Sequence, residues 1–151
     1  GKDEAEFYLS VNPGEPLKPL GSVASGGEIS RVMLAVKTVL ADEEDTPTLI
    51  FDEIDTGISG ITAGKVGDRL RLIGKSRQVI CITHLPQIAA TADHHFLIRK
   101  KAEGTSVRTD VEMLDEAASV EELARLLGGA NVTERVMESA KELKELAKCE
   151  R

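Results

Sequence analysis

Apolar residues recur at helical spacing over residues 25–41, at Ile29, Val32, Met33, Val36 and Leu40, and predict a helix there. Before it, residues 6–11 (EFYLSV) read as a short strand. Residues 12–22 (NPGEPLKPLGS) carry three prolines and read as an irregular connector. Residues 48–51 (TLIF) form a short apolar run stopped by Asp52 and Glu53, the mark of a buried strand. A helix over 61–73 follows, with Val66, Leu70 and Ile73 on one face, then a second buried strand over 78–83 (QVICIT) and a helix over 85–92.

Farther on, the period changes. Val107, Thr109, Val111 and Met113 alternate with Arg108, Asp110 and Glu112, so 95–100 and 106–114 pair as an antiparallel hairpin around 101–105. Two helices close the chain. Ser119 and Glu122 form a capping box for VEELARLL, which Gly128 and Gly129 terminate. Asn131 and Glu134 cap the last helix, whose Val136, Ala140, Leu143 and Ala147 share a face. Strand, helix, strand, helix in the middle implies a parallel α/β core with helical crossovers. Ligands of such sheets bind beyond the carboxyl ends of the strands. Asp52, Glu53 and His84 all stand at such ends.

The 151 residues suffice for one domain, and 41% hydrophobic with 30% charged residues is the composition of a folded protein. Aromatics make up only 3%, so Leu, Ile, Val and Ala must build the core. A net charge of −7 is not that of a free-standing nucleic-acid binder. Two cysteines give no disulfide framework, and no apolar run approaches a membrane span, so a cytoplasmic setting without membrane contact is expected.

Ser25 and Glu28 have the spacing of a capping box, which leaves the two glycines between them unexplained. Each glycine costs about 1 kcal/mol against alanine inside a helix. Bare backbone at a helix start compensates if its amides approach an anion, which the helix dipole also favours. Asp52 and Glu53 repel unless a cation or proton joins them. Mg²⁺ with phosphates is such a cation, and the second acid is then free to act as a base on water. His84 can hydrogen-bond a phosphoryl oxygen. A P-loop is missing: GKS at 74–76 would need a glycine where Arg69 stands, and it follows a helix instead of a strand. Zinc on Cys81, His84, His94 and His95 lacks ligand spacing. A Ser/His/Asp hydrolase is as weak, because Ser25 is not in G-x-S-x-G.

Taken together, ASGGE at 24–28 resembles the signature motif of ABC-type ATPases, TLIFDE resembles Walker B, IDTGIS at 54–59 resembles the D-loop, and His84 resembles the switch histidine. The order and spacing agree. Within that group, NPGEPLKPLGSVASGGEISRVMLAVKTVLA, TLIFDEIDTGISG, THLPQIAATADHHFLIRK and EELARLLGG resemble the RecN family, the SMC-like ATPases of bacterial DNA repair, over nearly the whole chain. The resemblance implies that residues 1–151 are the C-terminal lobe of an ATPase head, without Walker A and inactive alone. It implies a parallel sheet core with helices, an antiparallel hairpin and two C-terminal helices. Glu53 would polarise the attacking water and His84 would contact the γ-phosphate. Asp52 would help hold Mg²⁺. Ser25, Gly26 and Gly27, capped by Glu28, would reach ATP bound on a second head, and Asp55 would bridge the two heads. The implied partners are an N-terminal P-loop lobe of the same protein, a second head in a homodimer, and DNA through the full-length protein. The implied setting is double-strand break repair and recombination in a nucleoid-associated, cytoplasmic protein. A non-catalytic dimerisation module of ABC fold and a transporter nucleotide-binding fragment are the competing readings.

Overall fold

The computed structural model describes residues 2–10, 14–23, 25–40, 45–103 and 106–149. Residues 11, 24 and 41, expected within or beside the first elements, lie outside the described residues, as do 42–44 and 104–105 of two expected loops. The element order is β1 (Tyr8–Leu9), β2 (Lys18–Pro19), α1 (Leu20–Val23), α2 (Gly26–Val39), β3 (Thr48–Phe51), α3 (Gly60–Gly74), β4 (Gln78–Cys81), α4 (Pro86–Ala89), β5 (His95–Glu103), β6 (Ser106–Leu114), α5 (Glu116–Gly128) and α6 (Glu134–Cys149).

The chain is α/β, with three two-stranded sheets among the described residues. β3 and β4 are parallel, in the register Thr48↔Gln78 to Phe51↔Cys81. Ile82 extends that ladder by donating its amide to the Phe51 carbonyl at 3.0 Å. This last bond sets the chain after β4 beside the chain after β3. α3 is the crossover. Its Ala63, Val66, Leu70 and Ile73 pack with Leu49 and Phe51 of β3, Leu34 of α2, Ile54 and Ile88 into one core. The other face of the pair is bare: Ile50 is 68% exposed, and Ile80 and Ile82 are nearly half exposed. Parallel strands are normally covered on both faces.

β5 and β6 form the expected hairpin, with β6 as expected and β5 extended from six residues to nine. Phe96, Ile98, Val107, Val111 and Met113 share one face of it and are exposed. A lone two-stranded ribbon is marginal in water, so this face also calls for a cover. α5 and α6 pack on each other and on α4 through Ala89, Ala90, Leu123, Ala124 and Ala140. Lys144, buried in α6, donates to the carbonyls of Ala90 and Ala92 at 3.1 and 3.0 Å, so α6 caps the C-terminal end of α4.

Several sequence expectations change. Residues 12 and 13 of the expected connector lie outside the described residues, and the rest is not wholly irregular: Lys18–Pro19 pairs with β1, and the Leu20 amide donates to the Phe7 carbonyl at 2.8 Å. The first strand is only two residues long. α5 begins three residues before the expected Ser119–Glu122 box, because the Asp115 side chain accepts the Ala118 amide at 2.8 Å and Glu116, Ala117 and Ala118 favour a helix. Ser119 is buried instead and bonds the His95 ring, while Glu122 pairs with Arg125. α6 is entered through Thr133, whose hydroxyl accepts the Val136 amide, and not through Asn131. α2 lies within the span its period predicts. Gly27 and Leu34 are its buried residues, while Ile29 and Met33 remain more than a third exposed.

Candidate functional site

Three chain segments converge beyond the carboxyl ends of β3 and β4: the first turns of α2, the turn after β3, and the residues after β4. Each is held by bonds its own sequence provides.

Ser25 caps α2 in extended conformation. Its hydroxyl accepts the Glu28 amide at 3.4 Å and its own amide donates to Glu28 Oε2 at 2.8 Å, which completes the expected capping box. Bonds from the Ser25 amide and hydroxyl, helped by the Arg31 charge, hold the Glu28 carboxyl below its ordinary range. Gly26 is exposed and Gly27 is buried. A Cβ on Gly26 would come within 2.6 Å of Glu53 Oε2. One on Gly27 would stand 2.9 Å from the carbonyl oxygens of Glu53 and Thr56 and from Thr56 Cβ. A carboxylate can swing away, but backbone cannot. Gly27 therefore answers to packing against the turn, and amide exposure is no longer needed to explain it. Gly26 keeps the end of the helix bare and next to the Glu53 carboxylate.

The turn over 53–56 is unusual at its first residue. Glu53 has φ 57°, a left-handed conformation that side chains disfavour. The Asp52 carboxylate accepts the Glu53 amide at 2.9 Å, and the Glu53 carbonyl accepts the Thr56 amide at 3.0 Å. From α2, the Ser30 hydroxyl donates to the Asp52 carbonyl at 2.9 Å. Arg31 Nη1 donates to the carbonyls of Ile54 at 3.1 Å and Thr56 at 2.8 Å. Neither Ser30 nor Arg31 was expected at the site. They lie three and four residues after Gly27, on the same side of a helix, and that spacing was the available signal.

Asp55 is only 4% exposed. Its Oδ2 accepts the Thr83 hydroxyl at 2.7 Å and the His84 amide at 2.8 Å, and His84 Nδ1 lies 2.9 Å from it. Burial pushes its carboxyl up, but the bonds from Thr83 and the His84 amide, with the His84 ring and its own amide, outweigh burial and leave the pKa below the ordinary range. Asp55 was expected at a boundary between heads. Its carboxylate faces into the chain, where it ties the residues after β4 to the turn after β3. The His84 side chain is 74% exposed and oriented through Nδ1. Cys81, just before, is pushed up to about 12 by burial and by Asp55 and Asp52, so it stays a thiol. Among the described residues no three His, Cys, Asp or Glu side chains gather to hold a metal.

The structure thus joins the segments that carry every candidate: Ser25, Gly26, Gly27 and Glu28 from α2, Asp52, Glu53 and Asp55 from the turn, and His84 after β4. Asp52 and Glu53 are exposed. This donor set suits Mg²⁺, which is held by one or two carboxylates while water and phosphate complete its octahedron.

No protein-family model matches the chain. DNA repair protein RecN of Halalkalibacterium halodurans is 52% identical over 147 residues, covering 97% of this chain and 26% of the relative. RecN of Vibrio cholerae is 49% identical over 143 residues, covering 95% and 26%. The chain is similar to a segment of RecN. It spans about a quarter of the length of these curated RecN relatives. A solved chain from work on ATP-driven dimerization and DNA stimulated activation of SMC ATPases overlaps 74% of this chain and 68% of its own, at TM-score 0.47 and 25% identity.

Two outcomes follow from the packing. Gly27→Ala should destabilise the fold by about 1–3 kcal/mol, the usual cost of overpacking. Gly64→Ala, within α3 and with nothing within 4 Å of its Cβ, should gain about 0.5–1 kcal/mol. Urea unfolding of both variants checks this. Asp55 makes the fold acid-sensitive in a defined direction. Its folded pKa lies below its unfolded one, so its contribution is full above about pH 4 and disappears as pH falls through the folded value. Asp55→Asn should remove that part of the acid dependence, read as unfolding midpoints between pH 7 and pH 2.

Proposed function

We propose that residues 1–151 are the C-terminal lobe of an SMC-like ABC ATPase head in a RecN-like protein acting in DNA double-strand break repair and recombination. One observation supports this most: a single turn after β3 carries Glu53, receives the glycine start of α2 and binds His84 through Asp55. The closeness of these three segments supports the reading, as do the RecN relatives, which match the chain over nearly its full length.

In this reading Glu53 polarises the water that attacks the γ-phosphate of ATP. His84, held by Asp55, meets the negative charge that develops there. Asp52 is the residue that would hold Mg²⁺, which when bound neutralises phosphate charge. Ser25 and Gly26 present the amide end of α2 to ATP carried by a second head of a homodimer, while Glu28 fixes the cap and Gly27 seats the helix on the turn. Phosphoryl transfer depends mainly on positioning and charge, so a lobe without a P-loop does nothing alone. The uncovered Ile50, Ile80 and Ile82 and the apolar side of the hairpin fit contact with the N-terminal P-loop lobe of the same protein. DNA is engaged through the full-length protein in the cytoplasm, at the nucleoid. No described helix is long and apolar enough to cross a membrane.

Glu53→Gln in the intact protein should lower ATP turnover by about a hundredfold or more while leaving ATP binding within a few-fold, as expected for loss of a general base. Turnover equal to the unaltered protein would instead favour a non-catalytic dimerisation module.

A further inference from the structure

We propose that Arg31 is a positioning residue for Glu53: its guanidinium holds the turn over 53–56 in the form that keeps Glu53 left-handed, and joins that turn to the start of α2. The inference rests on the reading of Glu53 as the residue that polarises water.

A left-handed residue other than glycine persists only where its surroundings over-determine it. At Glu53 (φ 57°) the bonds inside the turn are local: Glu53 amide to Asp52, Thr56 amide to the Glu53 carbonyl. Local bonds relax together when the backbone relaxes, so an outside restraint is needed. Ser30 contributes one bond, to the Asp52 carbonyl before Glu53. Arg31 contributes two, to the Ile54 and Thr56 carbonyls after it, at 3.1 and 2.8 Å from a single nitrogen. Both protons of Nη1 are thereby committed. These are charge-assisted bonds, roughly twice the strength of neutral ones. The anchor beneath them is firm, because the Ile54 side chain is fully buried in the core.

The restraint comes from another element. Arg31 lies one helical turn after Gly27, where the absent side chain lets α2 approach the same turn. Any movement of the α2 tip is therefore felt at Glu53 through Gly27, Ser30 and Arg31.

The test is hydrogen exchange at the Thr56 amide of the intact protein, read beside ATP turnover. Arg31→Met keeps the apolar stem and removes both bonds. It should speed Thr56 exchange about tenfold, the scale of a lost charge-assisted bond, with the Leu123 amide of α5 unchanged. kcat should fall about tenfold with KM within about twofold. Arg31→Lys, which returns a charge and donors on a shorter reach, should fall between. Unchanged Thr56 exchange overturns the proposal, as does equal acceleration at Thr56 and Leu123, which would mean general loosening. Turnover that responds to Glu53→Gln but not to Arg31→Met also overturns it. Faster Thr56 exchange with turnover indifferent to both variants upholds the clamp and places the failure in the reading of Glu53.

Discussion

A buried carboxylate must be satisfied where it sits, or it costs the fold several kcal/mol. Asp55 meets that demand at one oxygen, which accepts the Thr83 hydroxyl and the His84 amide and has the His84 ring nitrogen 2.9 Å away. Everything at the site depends on this arrangement. It fixes the distance between the chain ends of β3 and β4, and it leaves the His84 ring exposed but oriented. Because Asp55 belongs to the same turn as Glu53, the residue that holds the histidine also limits where the acid can go.

On the opposite side the turn meets α2, and here the constraint is steric. Gly27 has no room for a side chain against the carbonyls of Glu53 and Thr56. Ser30 and Arg31 then bond the carbonyls of the turn. The turn is thus gripped from two elements, by a carboxylate network on one side and by a close helix contact on the other. A strained residue such as Glu53 is stable only in such a setting.

Much of this was legible in the residues. Helical period located α2, α3 and α6, and the alternation from Val107 to Met113 located the hairpin. The apolar runs TLIF and QVIC located the parallel pair, and Asp52, Glu53 and His84 were found at its ends by topology alone. What the sequence did not show depended on orientation. The period of α2 could not say that Leu34 faces inward while Ile29 and Met33 do not, because that is decided by the contact at Gly27. The inward direction of Asp55 could not be read, since an acid after a strand is usually a surface residue and its partners lie 28 and 29 positions away. Ser119 and Glu122 carry the letters of a capping box, but Asp115 captures the helix start first. The apolar side chains left uncovered on β3, β4 and the hairpin were equally hidden, because periodicity tells that a face is apolar and not what covers it.

ATP turnover by this chain mixed with the P-loop lobe of the same protein tests the shared-site reading most directly. Neither piece alone should turn over ATP, and the pair should, with the rate saturating as the second lobe is titrated. Turnover by this chain by itself, or a pair that forms a stable complex and binds ATP yet never hydrolyses it, would contradict the reading.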